Sequence, residues 1–306
     1  MLTRLLSAPL LIAVIAIAMG SGIDALVKGV APGAGLHHLL AWRFLFGGVL
    51  AFAVFRAKRR PAPSGEAIRF HTMRGLLQLF CAFTFFYALT QLRLAEATAL
   101  GFTAALLVAP VARVMIGEKI SLVAVGATLL GFGGVALAVW EPGGIGETPD
   151  GTNRALGLVS LFSSTVGYAF VLILLRMRAT KEDATTIAMF TNVVPAIAML
   201  PVTMGLFGFP ALASIPLFLV LGVLGYSVWF LMTLAYARAP AQQLAPLEYT
   251  ALIWSAIFGL AFFDEWPGWT LWAGAATIIA SCLIVAFQGR FRTRRETGLP
   301  ASDLPE

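Results

Sequence analysis

Three ionisable residues lie inside long apolar stretches of the sequence. They are Asp24, Arg43 and Glu248. A charge within the hydrocarbon core of a membrane is costly, so an ionisable residue in a membrane span indicates a functional site by default. An acid there can bind a cation or carry a proton, and an arginine can bind a carboxylate. The three residues therefore indicate a binding site for a small charged molecule within a membrane.

Asp24 and Arg43 form the clearest pair. The turn between the first two predicted spans lies near Pro32 to Gly35, and the two residues are equally far from it along antiparallel helices. At a rise of about 1.5 Å per residue, both should lie about two turns below the membrane surface and meet at one depth. Either the pair holds a zwitterionic substrate and opens during transport, or it is a permanent ion pair that fixes the helical hairpin. Lys28 either competes for the Asp24 carboxylate or lies at the rim of the membrane.

Glu248 lies about two turns into the ninth predicted span and has no evident partner in the sequence. It could be protonated, carry a coupling proton or serve as the counter-ion of a cationic substrate. The structural alternative is a hydrogen bond with Tyr226, Tyr236 or a backbone carbonyl. We favour a functional role for this acid, because lone charges within the membrane are rarely architectural.

Aromatic residues could form the walls of a metabolite site. Together with Asn192, those well inside the predicted spans are Trp42, Tyr87, Tyr168, Tyr226, Trp229, Tyr249 and Trp254. A buried Tyr or Trp needs a partner for its polar atom, so we expect several of them to face a central cavity. For any single residue, core packing or contact with lipid is the structural alternative. A pocket of this composition suits a flat or amphipathic metabolite.

The composition is that of an integral membrane protein. Of the 306 residues, 59% are hydrophobic and 12% are charged, and the mean hydropathy is +0.88. An ordinary soluble domain has about 25% charged residues. The net charge of +6 could suggest nucleic acid, but the basic residues lie between apolar runs rather than on one surface. They are better interpreted as topology signals, and no nucleic-acid partner is expected.

Apolar runs of about 20 residues predict membrane-spanning helices. The predicted spans are Leu5–Val27, Leu36–Phe55, Gly75–Leu92, Ala95–Ile116, Ser121–Trp140, Ala155–Leu175, Thr186–Leu206, Ile215–Tyr236, Gln243–Phe263 and Trp269–Phe287. The sequence therefore predicts an all-α integral membrane protein with ten transmembrane helices.

Arginine and lysine are unevenly distributed between the predicted loops. If the N-terminus is cytoplasmic, the inner segments hold most of them, Arg74 included, and the outer segments hold only Lys28, Arg93 and Arg154. The positive-inside rule therefore places both termini in the cytoplasm. We expect a multi-pass protein of a bacterial-type inner (plasma) membrane, with membrane lipid as a partner.

The sequence that begins at Leu100 returns after Leu247. At a constant separation of 147 residues, the matching pairs are Leu100 and Leu247, Thr103 and Thr250, Ala104 and Ala251, Ala109 and Ala256, and Glu118 and Glu265, while Phe102 meets Tyr249. The repeat divides the chain into a first unit (1–140), a periplasmic linker (141–154), a second unit (155–289) and a cytoplasmic tail (290–306). Because each unit has five spans, the second enters the membrane from the opposite side. Such inverted repeats are typical of secondary transporters.

Other chemistries lack their motifs. The sequence contains no Walker A pattern for ATP, no H-E-x-x-H or G-x-S-x-G motif and no cluster of His or Asp ligands. We therefore expect no enzyme, no cofactor and no metal site. Cys81 and Cys282 lie in apolar runs and are interpreted as small core residues. Glu118 and Glu265 lie at a membrane edge, where pairing with a neighbouring lysine or arginine would need no substrate.

The pattern resembles a known family. Two fused five-helix units, MGSGIDALVKG in the first span, WRFLFGG in the second and APLEYTALIWSAIFGLAFFDEWP in the ninth are similar to EamA-type transporters of the drug/metabolite transporter superfamily. The resemblance covers Leu10 to Phe287. It implies a basket-like bundle of ten helices that moves small metabolites without ATP. The family includes exporters of aromatic and other amino acids and uptake systems for S-adenosylmethionine and riboflavin, and the surroundings of Asp24, Arg43 and Glu248 resemble that uptake branch.

We therefore predict a secondary transporter that works by alternating access. Its expected substrate is a small amphipathic metabolite, an amino acid or a related compound, with aromatic amino acid export as one form and uptake of S-adenosylmethionine or riboflavin as the alternative. A scaffold or a membrane enzyme is disfavoured, since neither needs charges within the membrane. The site is expected between the halves near Asp24, Arg43, Tyr168, Trp229 and Glu248. The sequence is compatible with proton coupling and with a monomer or a homodimer.

Overall fold

The computed structural model describes residues 8–59, 62–117, 122–140, 152–179, 182–236 and 247–297, and their regular secondary structure is helical. The helices are α1 (Ala8–Ala34), α2 (Leu36–Ala57), α3 (Gly65–Gln91), α4 (Leu94–Gly101), α5 (Thr103–Ile116), α6 (Leu122–Val139), α7 (Arg154–Ala179), α8 (Ala184–Phe207), α9 (Ile215–Tyr236), α10 (Ala251–Phe263) and α11 (Trp269–Thr297). A short 3-10 helix at Leu212–Ser214 precedes α9.

Helices are what an apolar chain of this kind must form, because lipid cannot satisfy free backbone N–H and C=O groups. Seven segments of the described chain are long and apolar enough to cross a membrane, and three shorter apolar helices lie at 125–138, 251–263 and 269–281. These positions coincide with the predicted spans. The chain is thus an all-helical membrane protein.

The start of α3 differs from the prediction. The third span was expected to begin at Gly75, but the helix begins ten residues earlier at Gly65. Ser64 caps it by accepting a hydrogen bond from the Ala67 N–H at 3.2 Å. Arg74 is consequently not a loop residue but is buried within the helix, with 2% of its surface exposed. The charged residues and His71 lower the hydropathy of residues 65–74, so hydropathy alone did not reveal that they belong to the helix.

Two spans that the sequence predicts as continuous are interrupted at matching places. The fourth span breaks at Phe102 into α4 and α5. In the ninth, α10 begins only at Ala251, after a turn at 249–250. In both copies a threonine hydroxyl donates back across the break: Thr103 to the Leu100 carbonyl at 2.7 Å, and Thr250 to the Leu247 carbonyl at 2.6 Å. The residues before Ala251 that the prediction assigned to the ninth span, 243–246, lie outside the described residues.

The turns gather at two ends of the bundle. We call outer the end that carries Gly35, Leu92, Asn153, Phe209 and Asp264, and inner the opposite end. Side chains join neighbouring turns at the outer end: Gln91 accepts from the Asn153 N–H at 2.7 Å, and the rings of Trp42 and Phe209 lie 6.4 Å apart. At the inner end Lys58 donates to Thr185 at 3.3 Å, and Arg178 pairs with Glu66.

The two predicted halves pack mainly against each other. Each main contact between a helix of the first half and one of the second recurs between the corresponding helices with the halves exchanged. Helix α3 packs on α7 and α8, and α9 packs on α1 and α2. Helix α5 packs on α7 as α10 packs on α1, while α2 meets α8 and α6 meets α11.

Glycines at the separation of 147 residues mark these crossings. A Cβ at Gly75 would lie 2.7 Å from Val194, and a Cβ at Gly222 would lie 2.9 Å from the backbone of Gly47. Both the two glycines and the two residues that they face are 147 positions apart. The same close crossing between the two halves is therefore built twice, once with a glycine from each half.

The largest core cluster has members on every helix from α1 to α11. Its fully buried members include Leu39, Leu40, Leu89, Leu94, Leu100 and Phe218. Most other large apolar residues, such as Leu129, Ile197 and Phe262, are exposed on the outside of the bundle. That arrangement suits a surface in contact with lipid tails.

Candidate functional site

Arg43 lies on α2 within the helix bundle. Its guanidinium carbon is 5.1 Å from the centroids of both the Phe44 and the Phe86 rings. Gly225 of α9 makes room for it, because a Cβ there would lie 3.1 Å from Nη2 of Arg43. The Nε atom is buried and has no hydrogen-bond partner among the described residues. A buried guanidinium with an unmet donor is suited to accept an anionic group from a ligand.

Asp24 faces Arg43 from α1. The two charges interact electrostatically, but within the described residues they form no direct ion pair. Both side chains are half-buried, so each retains accessible surface inside the bundle. The predicted proximity of the two residues is therefore present without the closed contact that a permanent structural pair would show.

Tyr168 and Glu248 form a second group. Tyr168 on α7 interacts electrostatically with Glu248, which lies in the turn before α10. The position of α7 is fixed against α3 by Ser164, which donates to the Cys81 carbonyl at 2.8 Å. Gly167 makes the approach close, since a Cβ there would lie 2.7 Å from Sγ of Cys81. Glu248 is exposed, so this acid is accessible in the conformation described.

The two groups lie at different depths. Ser21 of α1 donates to the Ala251 carbonyl of α10 at 3.4 Å, which sets a common level for the two helices. Asp24 lies three residues from this level toward the outer end, and Glu248 three residues toward the inner end. Glu248 therefore lies nearer the inner end of the bundle than Asp24 does.

The helix breaks meet between the halves. The rings of Phe102 and Tyr249, which are 147 residues apart, contact each other edge to face with centroids 5.3 Å apart. Irregular backbone at membrane depth is tolerated where it lines a cavity or is buried in protein. Discontinuous helices are also where secondary transporters place their sites. The contact therefore places the two interruptions and Glu248 in one region.

The other residues predicted for the site are more dispersed. Trp42 packs on Phe46 at 5.8 Å, and its Nε1 atom is buried without a partner among the described residues. Trp254 lies 6.4 Å from Phe258 of its own helix. Tyr87 is half-buried on α3.

Three further predicted residues lie on α8 and α9. Asn192 donates to the Ala188 carbonyl at 3.0 Å and lies against Gly47, at the contact of α8 with α2. Tyr226 stacks on Phe230 at 6.2 Å, and Trp229 is 43% exposed.

Lys28 has a different partner from the one that its spacing suggested. It forms an ion pair with Glu265 at 2.7 Å and also donates to the Leu92 carbonyl, rather than binding Asp24. It is thus a residue of the outer rim. Glu118, the other edge acid, and the side chain of Cys282 lie outside the described residues.

Sequence reasoning missed Phe44, Phe86, Gly225 and Cys81 as neighbours of the charged groups. Phe86 and Gly225 belong to spans far from Arg43 in the sequence. Gly222 and Gly225, three residues apart, were the available signal, since small residues at helical spacing allow close helix contact.

Comparison with known proteins connects this geometry to a family. The profile of the EamA-like transporter family matches residues 6–140 and again residues 155–287. An S-adenosylmethionine uptake transporter of Rickettsia prowazekii (strain Madrid E) is 27% identical over 248 residues, which is 80% of this chain and 81% of that protein. A riboflavin transporter of Rhizobium johnstonii is 30% identical over 202 residues, 66% of this chain and 63% of that protein.

A crystal structure has the same fold. It covers 93% of this chain and 98% of its own with a TM-score of 0.61 at 20% sequence identity. At that identity the similarity concerns the helical architecture alone.

Proposed function

Because the chain belongs to the EamA-like transporter family, we propose that it is a secondary transporter that moves a small amphipathic metabolite, an amino acid or a related compound, by alternating access. The observation that carries the proposal is Arg43, whose buried Nε atom is unpartnered and which faces Asp24 without a direct ion pair among the described residues. Two side chains that formed a permanent structural pair would be in direct contact. A ligand with a carboxylate and an ammonium group would fill the gap between Asp24 and Arg43.

The architecture that this mechanism needs is ten spans arranged as two inverted repeats of five. The matching helix contacts support this architecture, because α3 packs closely on α8 at Gly75 just as α9 packs closely on α2 at Gly222. The two matches of the family profile divide the chain at the same place as the internal repeat, between the units 1–140 and 155–289. Two interleaved bundles of this kind can rock about a site that stays between them.

The charges favour one class of amino acid derivative. Arg43 supplies one positive charge, whereas Asp24 and Glu248 supply two carboxylates at different depths of the bundle. An amino acid head at Asp24 and Arg43 leaves Glu248 to face a second cation. Uptake of S-adenosylmethionine, which carries a sulfonium, is therefore the second candidate function, and the name of the Rickettsia relative agrees with it.

The membrane and its orientation follow from the basic residues. The inner end carries Lys58 and Arg178, and most other arginines of the sequence fall in predicted inner segments. We place this end and both termini in the cytoplasm, with the protein in a bacterial-type inner membrane. Glu248, exposed and close to Tyr168, is the group that we assign to proton coupling if the transporter is driven by a proton gradient.

Uptake by proteoliposomes tests the function. The purified full chain would be reconstituted and given radiolabelled S-adenosylmethionine, phenylalanine or riboflavin, with and without an imposed pH gradient. We expect saturable uptake of S-adenosylmethionine or phenylalanine that protein-free liposomes lack. S-adenosylhomocysteine, which lacks the sulfonium charge, should compete at least about tenfold less well if the second cation is recognised, equivalent to about 1.4 kcal/mol. Saturable uptake of riboflavin alone would contradict the role given to the charges, and no uptake of any metabolite would contradict transport.

A further inference from the structure

At the outer end, three parts of the chain are joined through one carboxylate. Oε1 of Glu265, just after α10, forms an ion pair with Lys28 of α1 at 2.7 Å. Oε2 of the same side chain accepts from the Leu94 N–H, the first amide of α4, also at 2.7 Å. Lys28 in addition donates to the Leu92 carbonyl. The two charged side chains are 12% and 11% exposed, so the contact is largely removed from water.

The end of α10 is shaped to point this carboxylate back over the helix. Asp264 adopts a left-handed conformation with φ of 54°. Glu265 then donates its N–H to the Gly259 carbonyl at 3.1 Å. Gly259 leaves the space that the carboxylate needs, since a Cβ there would lie 3.3 Å from Oε2 of Glu265. Aspartate tolerates the left-handed region, and a left-handed residue commonly ends a helix, so this turn forms without unusual strain.

A second buried ion pair joins the same corner to another helix. Arg154 at the start of α7 pairs with Glu96 in the first turn of α4 at 2.7 Å. Together the two pairs tie α1, α4, α7 and α10 at their outer ends. Asp24 lies on α1, α4 ends just before the break at Phe102, Tyr168 lies on α7, and α10 follows Glu248.

The candidate site is not closed equally at its two ends. Lys28 lies one turn, about 6 Å, further out than Asp24 on the same helix. The ion pair of Lys28 with Glu265 therefore lies over the outer, Asp24 side of the site. Glu248, on the inner side, is exposed. The outer side of the candidate site is therefore held by an ion pair, whereas the acid on its inner side is exposed.

We propose that the ion pair of Lys28 with Glu265 is a latch that closes the outer end of the transport path, and that this structure is the latched conformation. Release of Glu265 frees α1 from α10 and from the corner between α3 and α4. The freed lysine can then pair with the carboxylate of Asp24, which lies one turn deeper on the same helix. The inference rests on the proposed function, but its test does not require transport.

Thiol labelling measures the latch directly. Gly22 of α1 lies between the latch and Ser21, and a Cβ there has its nearest neighbour at 3.8 Å on Phe258 of α10. The reporter is Gly22→Cys in the full chain with Cys81→Ala and Cys282→Ala. A membrane-impermeant thiol reagent would be added from the outer side of proteoliposomes of known orientation. Glu265→Gln and Lys28→Met should each raise the rate of labelling about tenfold, because truncating one partner leaves the other charge buried and unpaired.

The double variant and a matched control separate a latch from general loosening. Since the two residues act through one contact, Lys28→Met with Glu265→Gln should label no faster than the faster single variant. Arg178→Gln, which breaks the pair with Glu66 at the inner end, should leave outer labelling unchanged. Unchanged labelling in both single variants overturns the proposal, as does an equal rise in the Arg178 control. A rise confined to the latch variants in a protein that moves no metabolite keeps the latch and rejects the transport function.

Discussion

Arg74, which is buried, and Arg43, which is half-buried, lie at helix crossings related by the internal repeat. Arg74 lies where α3 crosses α8 next to Gly75, toward the inner end. Arg43 lies where α9 crosses α2 next to Gly222, toward the outer end. The two glycines are 147 residues apart and both bring backbones close together. The crossings share a backbone arrangement, so the difference between them is one of side chains.

The inner crossing satisfies its charges. Arg74 donates to the Thr191 hydroxyl at 2.7 Å and to the Ile187 carbonyl at 3.2 Å, and its Nε contacts His71 at 3.4 Å. His71 is fully buried and hydrogen-bonded to Glu182. It stacks on Phe190 with ring centroids 5.1 Å apart. Buried charges with this many partners hold helices in fixed positions.

The outer crossing is apolar where the inner one is charged. At the separation of 147 residues, His71 and Arg74 correspond to Phe218 and Leu221, both fully buried. The arginine here comes from the other helix of the pair, at the position that corresponds to Phe190. It lies against aromatic rings with its Nε unpartnered among the described residues. The two arginines thus differ in hydrogen-bond satisfaction, which favours a supporting role for Arg74 and a ligand-binding role for Arg43.

The largest expected effect is on Arg43. Arg43→Met should weaken binding of the transported metabolite about 100-fold or more, because truncating one partner of a buried charge pair costs about 2–5 kcal/mol. The change should affect thermal stability less than loss of Arg74, since Arg43 has few contacts with the protein to lose. Equilibrium binding in detergent and a thermal melt of the same sample measure both quantities.

A matched substitution sharpens this result. Arg43→Lys retains the charge and loses the planar donor fork. It should recover part of the binding but not all of it. Full binding by Arg43→Met, or a melting temperature as low as that of an Arg74 variant, would show that the two arginines do the same work and would remove the basis of the comparison.

Arg74 should show the reverse profile. Arg74→Met removes the donor to the Thr191 hydroxyl and to the Ile187 carbonyl, so we expect a loss of about 3 kcal/mol in the free energy of unfolding. Substrate affinity of the remaining folded protein should be close to that of the parent. Unfolding in detergent gives the first quantity and binding gives the second. Retained stability with impaired binding would place Arg74 in the transport path instead of the scaffold.

The spans and the repeat could be predicted from the sequence because both depend on local patterns of residues. Runs of apolar residues locate helices in lipid whatever their partners. The match of Leu100 with Leu247 also fixed which residues are equivalent, and Phe102 and Tyr249, paired in this way, contact each other. Their helix breaks were not predicted, since a hydropathy reading registers polarity and not backbone hydrogen bonding.

What the sequence could not supply is the choice of partner for each charge. Spacing along one helix favoured Asp24 for Lys28, whereas the bundle brings Glu265 to it from the other half of the chain. Arg74 looked like a loop residue because its acceptors, the Ile187 carbonyl and the Thr191 hydroxyl, belong to α8, far from it in the sequence. Hydrogen-bond satisfaction depends on tertiary contacts, so the distinction between Arg74 and Arg43 appears only in the structure.

The smallest effect concerns the glycines that the two crossings share. A Cβ at Gly222 would lie 2.7 Å from Cβ of Phe46 and 2.9 Å from the carbonyl of Arg43, so it meets backbone as well as side chain. A Cβ at Gly75 meets mainly the Val194 side chain at 2.7 Å. Overpacking of this kind costs about 1–3 kcal/mol. We expect Gly222→Ala to be near the upper value and to weaken binding as well, because the shifted backbone carries Arg43.

Gly75→Ala is the internal control for that substitution. Side chains yield more readily than backbone, so its destabilisation should be smaller, and its crossing carries no ligand-binding arginine. A double variant with Val194→Ala should recover much of the lost stability, whereas no single side-chain truncation should do so for Gly222→Ala. Equal losses of stability and binding in the two alanine variants would mean that the outer and inner crossings are mechanically equivalent. The asymmetry would then reside in the charges alone, and the backbone of α2 would play no part in positioning Arg43.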